Sequence, residues 1–448
     1  MGPEETCPGK QVGLHVIVSP DVPLEIHERT PYGPVCVFHI FHRSPREFHT
    51  RLDPDAQFRE RRQRHRRRIR RRRISAVLIV AAIAVAITFG FRAVAGSDEL
   101  VPEAAPPSPT AESALAAEAS SLPTTTPTGA PVEVRGVHVT MQLASRPAVF
   151  SGLVGLANDG LNTLQIDVKD ESGDVAFTSD AAPLASKIAA RNYYDPAAIV
   201  AQAKEAGLLT IARIVDIEDP VLASNRPKWA IQARGGGTWF DSGGFTWANP
   251  YDERAWKYNV DVAESAARAG FDEVMFDYVR FPSDGDLGAM KFPRKVPETK
   301  DKTIGRFLQF ARNRLAPLGV DMSAAVFGLA ASRDLGIGQD PRRLAQYLDA
   351  MNPMVYPSLF GSGEFGLAVP EAAPGTVVNR ALGHFNVALR GRNIRLVPWL
   401  QDFTLPGGSR FGIEEIRAQI AAAERRGTSG YLLWNPHGVY TDGSLLGA

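Results

Sequence analysis

From residue 131 onward, apolar residues gather into eight short runs separated by stretches of helical periodicity. The runs are Val132 to Thr140, Thr163 to Val168, Leu208 to Val215, Glu273 to Arg280, Val320 to Phe327, Ala350 to Tyr356, Ile394 to Leu400 and Gly430 to Trp434. Several are near-continuous in Val, Ile, Leu, Met and Phe, as in parallel strands covered on both faces. Between them, Pro196 to Ala206, Ala255 to Ala269, Thr303 to Leu315, Pro341 to Leu348 and Ile413 to Arg426 read as helices. Eight strand–helix units predict an α/β fold, a (β/α)8 TIM barrel with some long loops, over 131–448. A doubly wound open sheet is the alternative, but no glycine-rich phosphate loop follows the first strand.

Upstream the pattern changes in kind. Ile74 to Phe91 is an uncharged apolar run, just long enough to span a bilayer, and eleven arginines lie between Arg59 and Arg73 directly before it. Positive charge on that flank predicts an N-terminus in the cytoplasm and everything after the span outside. Residues 74–94 are therefore expected to be a single-pass transmembrane anchor in the lipid bilayer of the plasma membrane, carrying an extracellular C-terminal domain. A cleaved signal is the rival, since Ala93, Val94 and Ala95 form a small-residue site, although the apolar run is long for a signal core. Residues 95–130, rich in Pro, Ala, Ser and Thr, predict an extended linker. Residues 1–73 read as a mostly disordered, arginine-rich cytoplasmic tail.

Composition narrows the function classes. The net charge of +1 conceals an asymmetry, because residues 131–448 hold 33 basic and 35 acidic side chains. A body so balanced is not a nucleic-acid binder by charge. Both cysteines, Cys7 and Cys36, lie in the tail, so the exported region is expected to be stable without disulfides. His138, His384 and His437 form no HxH pair, so no histidine-built zinc site is expected, and no cofactor either. Acidic clusters leave calcium open.

In a barrel, function sits at the C-terminal ends of the strands, and the polar residues gather there. Strand two delivers Asp167, Lys169 and Asp170; strand three, Arg213, Asp216, Glu218 and Asp219; strand four, Asp277, Tyr278 and Arg280. Strand six adds Asn352 and Tyr356; strand seven, Trp399, Gln401 and Asp402; strand eight, Trp434 and Asn435. Acids, amides and flat aromatics on one rim suit a sugar: hydroxyls take paired hydrogen bonds, ring faces stack on indole or phenol, and two carboxyl groups handle the glycosidic bond. Asp277, at the end of an apolar strand, is the leading catalytic residue. Asp402 is its expected partner and Asp167 the reserve. Asp170, Asp216, Tyr278, Arg280, Tyr356, Trp399, Gln401, Trp434 and Asn435 are expected to bind substrate, while Lys169, Arg213 and Arg280 orient the acids. The bland reading of Asp277 is a structural ion pair with Arg280.

The segments GFDEVMFDYVRFPSDG from Gly270, MNPMVYPS from Met351, PWLQDF from Pro398, GYLLWN from Gly430, LNTLQIDVKDESG from Leu161 and ARIVDIEDP from Ala212 resemble bacterial glycoside hydrolases of unknown specificity. The resemblance covers nearly all of 131–448 and implies a barrel fold and hydrolysis of a polysaccharide or oligosaccharide. It also implies catalytic roles for Asp277, for the strand-two pair Asp167 and Asp170, and for Asp402. One departure stands out. That family's fifth strand carries SADVFG, whereas Ser323 to Gly328 here reads SAAVFG, with Ala325 where an acid is expected. A catalytically impaired carbohydrate-binding barrel is accordingly the second expectation. The fourth strand also resembles the DxxDxDxE of chitinase-like barrels, but aligned on Asp272 and Asp277 it has Met275 and Val279 at the remaining acidic positions, so that mechanism is not supported.

Overall fold

The computed structural model describes residues 133–443. The tail, anchor and linker expected over residues 1–130 lie outside the described residues; among the described residues, no helix is long and apolar enough to cross a membrane.

Eight parallel strands form one sheet: β1 (Val134–Val139), β2 (Thr163–Lys169), β3 (Leu209–Val215), β4 (Glu273–Asp277), β5 (Asp321–Phe327), β6 (Ala350–Met354), β7 in two pieces (Arg395–Leu396 and Trp399–Gln401) and β8 (Gly430–Trp434). Each pairs with the next, and β8 returns to β1, with Gly430 opposite Val134 and Leu433 opposite Val137, so the sheet closes into a barrel. Each crossover carries a helix: α1 (Pro147–Gly155), α2 (Pro196–Glu205), α3 (Glu253–Ala269), α4 (Lys300–Leu315), α5 (Pro341–Leu344), α6 (Pro374–Ala388) and α7 (Ile413–Arg425), with further short helices at Met141–Ala144, Pro183–Ile188 and Pro220–Asn225. The loops after β3 and β4 are long and joined by a short antiparallel ribbon, Gln232–Ala233 against Met290–Lys291.

The alternation of each strand sends its side chains to two separate cores. Leu164, Ile166 and Val168 of β2 face outward into the layer under the helices. Val134, Ile211, Met275, Ala325, Val397, Trp399 and Leu432, one from nearly every strand, fill the lumen together with Tyr356. The lumen is thus a packed plug, and ligand chemistry is confined to its C-terminal mouth.

Element ends differ from the sequence pattern where a particular residue intervenes. β4 stops at Asp277 rather than Arg280, because Tyr278 takes a left-handed backbone (φ 52°) that no strand continues. α3 starts two residues before Ala255, because the Asp252 carboxylate accepts the Arg254 N–H as an N-cap, and it stops where Gly270 (φ 99°) turns left-handed. α5 is a single turn instead of running to Leu348: the chain tightens into Tyr347-to-Leu344 bonding while Arg312 of α4 claims the Tyr347 carbonyl. β7 is split at Pro398, which has no N–H for the ladder.

Candidate active site

Arg213, at the mouth end of β3, organises the site. Register places it between Asp167 of β2 and Met275 of β4, so its guanidinium meets inward-facing acids from both neighbours. Its Nη1 donates to Asp167 Oδ1 at 2.9 Å, its Nε and Nη2 donate to Asp277 Oδ2 at 3.0 and 2.7 Å, and Nη2 also donates to Glu171 Oε1 at 2.5 Å. Arg213 is only 1% exposed, so these are charge-assisted bonds in a poorly solvated setting, where they are strong and orienting. The guanidinium is held even more firmly protonated than usual: burial works against its charge, and Glu171, Asp167 and Asp277 overcome that. Its carbon also lies 5.1 Å from the centre of the Trp434 ring.

The carboxylates around this cation differ in their tuning. Burial would raise Asp167, but His138, whose Nε2 lies 3.0 Å from Asp167 Oδ1, and Arg213 outweigh it and hold Asp167 below the usual aspartate range. Asp277 is an acceptor on both oxygens, its Oδ1 taking the Tyr278 backbone N–H at 2.7 Å. Glu171 is the open member, its side chain 31% exposed. Beside it, Asp170 is pushed up to about 7 by burial and by the Glu171 carboxylate, against the Ser172 hydroxyl that donates to its Oδ1. Glu171 Oε1 and Asp277 Oδ2 both bond the same Nη2, at 2.5 and 2.7 Å, so they stand at most about 5.2 Å apart. That ceiling lies short of the ~6.5–9.5 Å that leaves room for an attacking water between two carboxyl groups.

Several expected site residues therefore take different places. Asp277 pairs with Arg213 and not with Arg280, whose guanidinium turns into the rings of Trp247, Tyr278 and Phe327. Both carboxylate oxygens of Asp402 are engaged by Thr441, Oδ1 by its hydroxyl and Oδ2 by its N–H, and the Asp402 carbonyl accepts Asn435 Nδ2. Asp402 and Asn435 thus pin the loop after β8, and burial raises Asp402 against those Thr441 bonds. Asp216 is fully enclosed, its carbonyl accepting from Lys169 and Asn259 of α3; burial drives its carboxyl far up. Lys169 itself pairs with Asp219 at 2.8 Å, away from the rim acids. Gln401 exchanges bonds with Ser358 and locks β7 to the loop after β6. Trp399 and Tyr356 are buried in the lumen plug, so neither offers a free face. Trp434 reaches the mouth half-buried, with the His138 ring stacked on it at 3.9 Å. Ala325 lies in the lumen among apolar neighbours, opposite Asn352 of β6.

Two residues were passed over in the sequence. Glu171 follows Asp170 in the segment KDESG, but it lies beyond the strand end, and a rule based on strand ends stops one residue short. His138 stood only as one of three histidines, because its pairing with Asp167 depends on the register of β1 on β2, which a single sequence does not display. Among the described residues, no cluster of three or more His, Cys, Asp or Glu side chains suited to a metal ion occurs.

Comparison with known proteins bears on this arrangement. A search of curated proteins gives no match. Among solved structures, a hypothetical protein from Ruminiclostridium thermocellum is 32% identical over 42% of this chain and 96% of its own, with a TM-score of 0.39. The PgaB (BpsB) glycoside hydrolase domain from Bordetella bronchiseptica is 15% identical over 68% of this chain and 94% of its own, with a TM-score of 0.50, a likeness of fold alone. The family model for a putative glycosyl hydrolase domain matches residues 136–440, from the first strand through the loop that carries Tyr440. With two thirds of its length so matched and its acids gathered at the barrel mouth, the chain belongs to that glycosyl hydrolase family.

Proposed function

We propose that the barrel hydrolyses glycosidic bonds in a polysaccharide or oligosaccharide at the mouth built by β2, β3 and β4. The observation that carries this reading is the Arg213 cluster: one cation holding Asp277 close to Glu171, with Asp170, which precedes Glu171 in the chain, raised to about 7. Asp277, oriented by Arg213 and the Tyr278 N–H, attacks the anomeric carbon. Asp170 supplies the proton to the departing oxygen, since a carboxyl that titrates near neutral pH holds its proton and still releases it readily; as a carboxylate it then takes a proton from the water that cleaves the glycosyl–Asp277 ester and frees both acids. Glu171 raises Asp170 and shares Arg213. Asp167, kept ionised, steadies Arg213 from the opposite side. A carboxylate that attacks the anomeric carbon implies retention of anomeric configuration.

The test is reducing-sugar release by the purified chain on a panel of cell-wall and storage polysaccharides, with Asp277→Asn alongside. Release that Asp277→Asn abolishes supports the assignment; release that survives the substitution sinks it. Ala325 in the lumen favours the second reading, a binding barrel without turnover, and retention on an insoluble glycan without any release would select it. Tethering belongs to the same proposal and rests on the arginine run and the apolar stretch before residue 92: an exported barrel on a membrane anchor, facing envelope or environmental glycans.

A further inference from the structure

We infer that Arg280 forms a receptor for a carboxylate, so that the glycan bound at this mouth carries an acidic sugar; this deepens the hydrolase reading and rests on it. Arg280 is a buried cation with no carboxylate at ion-pair distance among the described residues. Its guanidinium carbon lies 4.8 Å from the Trp247 ring centre, 5.0 Å from that of Tyr278 and 4.7 Å from that of Phe327. Aromatic faces at such distances offset part of the desolvation of a cation, but a guanidinium removed from water without a counter-ion remains costly. Arg280 Nη1 donates to the Phe281 carbonyl at 3.1 Å and to Ser283 Oγ at 3.2 Å, bonds that hold the group in place. Nε and Nη2 have no hydrogen-bond partner among the described residues, and neither is among the polar atoms sealed from solvent. A planar fork with two open donors matches the two oxygens of a carboxylate.

A second observation ties this group to the chemistry. Among the described residues Tyr278 is one of three non-glycine residues with positive φ, and such a backbone costs on the order of 1–3 kcal/mol and persists where the surroundings enforce it. The same turn places the Tyr278 N–H on Asp277 Oδ1 and its ring over Arg280. The proposed nucleophile and the caged cation are therefore set by one short, strained segment, three residues apart in the chain.

The experiment is calorimetric titration of the full chain carrying Asp277→Asn, which binds without turnover. The ligands are oligosaccharides of hyaluronan, alginate, polygalacturonate and xanthan, each beside its carboxyl-reduced form, with chitin and cellulose oligosaccharides as neutral controls. At least one acidic ligand is expected to bind tenfold or more tightly than its reduced form. Adding Arg280→Gln is expected to bring that ratio close to one, and Arg280→Lys to retain part of it. Equal binding of acidic and reduced forms, or binding of neutral ligands alone or of none, overturns the proposal. The ligand-side comparison leaves residue 280 untouched, so it stands even if Arg280→Gln fails to fold. Failure of the hydrolase reading shows separately, as acid-selective binding by a chain that retains Asp277 yet cleaves nothing.

Discussion

At the scale of single residues, the site is a problem of charge sharing, and different members of the cluster should fail differently. Asp277→Asn leaves Arg213 with Asp167 and Glu171, so folding should survive while turnover falls by roughly 10⁴–10⁶, as for loss of a nucleophile; thermal melting and initial rates separate the two effects. Arg213→Met is the opposite case, since it strands Asp167 and Asp277 in a buried setting without their cation. Removing one partner from a buried ion pair typically costs ~3–5 kcal/mol, so this variant should melt at markedly lower temperature, and denaturant titration reads the loss directly. Asp170 sets the pH dependence. Its native value, about 7, lies above its ordinary one, so between those values the folded state holds a proton that the unfolded chain has released. Its stabilising contribution is therefore present in acid and is lost as pH rises through about 7. Catalysis shares the direction: kcat/KM should fall above about pH 7 as the donor loses its proton, and Asp170→Asn should remove that limb. A profile unchanged by Asp170→Asn would assign the proton elsewhere. The sequence made Asp277, Asp167, Asp170 and Arg213 legible because each stands at a strand end. It did not display the partners of Asp402 and Arg280, Thr441 for the one and three aromatic rings for the other, because which partner a side chain chooses depends on the register and loop paths around it.

At the scale of elements, all eight strands were legible because each is a short apolar run between polar punctuation, and a parallel barrel buries both faces of every strand. What the pattern could not supply was the point where individual backbones turn. Tyr278 ends β4 early through a positive φ that no propensity predicts for tyrosine, and α5 shortens through a tertiary bond from Arg312. The closure of the barrel is the most exacting junction. Gly430 opens β8 with φ 98°, and a Cβ there would stand 1.9 Å from the Val134 carbonyl oxygen of β1. Both the conformation and the space exclude a side chain. Gly430→Ala should therefore cost at least about 3 kcal/mol, from backbone strain plus separation of the β8–β1 seam. Hydrogen exchange should show the loss first in β1 and β8; protection unchanged in those two strands would mean that the seam yields without consequence.

At the scale of the whole molecule, two parts obey different physics. The barrel is nearly neutral and needs no disulfide, whereas the segment before it joins a dense arginine block to an uncharged apolar run. If the proposed anchor inserts, Ile74 to Phe91 would have to satisfy its backbone polar groups within a helix, and the arginines before it would resist crossing and so set the orientation. The proposed anchor suits the proposed chemistry, because it would hold a hydrolase at a surface where polymeric substrate is concentrated, with 95–130 expected as the tether. The expectation is that the full chain sediments with membranes, resists extraction by high salt and by alkaline carbonate, and is released by detergent. Protease added to intact cells stripped of their wall should remove the barrel and leave a fragment containing the arginine block protected. Substituting most of the arginines between 59 and 73 with glutamine should weaken that protection by letting a fraction of chains insert inverted. Recovery of the intact chain in the carbonate-soluble fraction would overturn the anchor, and a barrel shielded from external protease while the N-terminal segment is digested would reverse the topology.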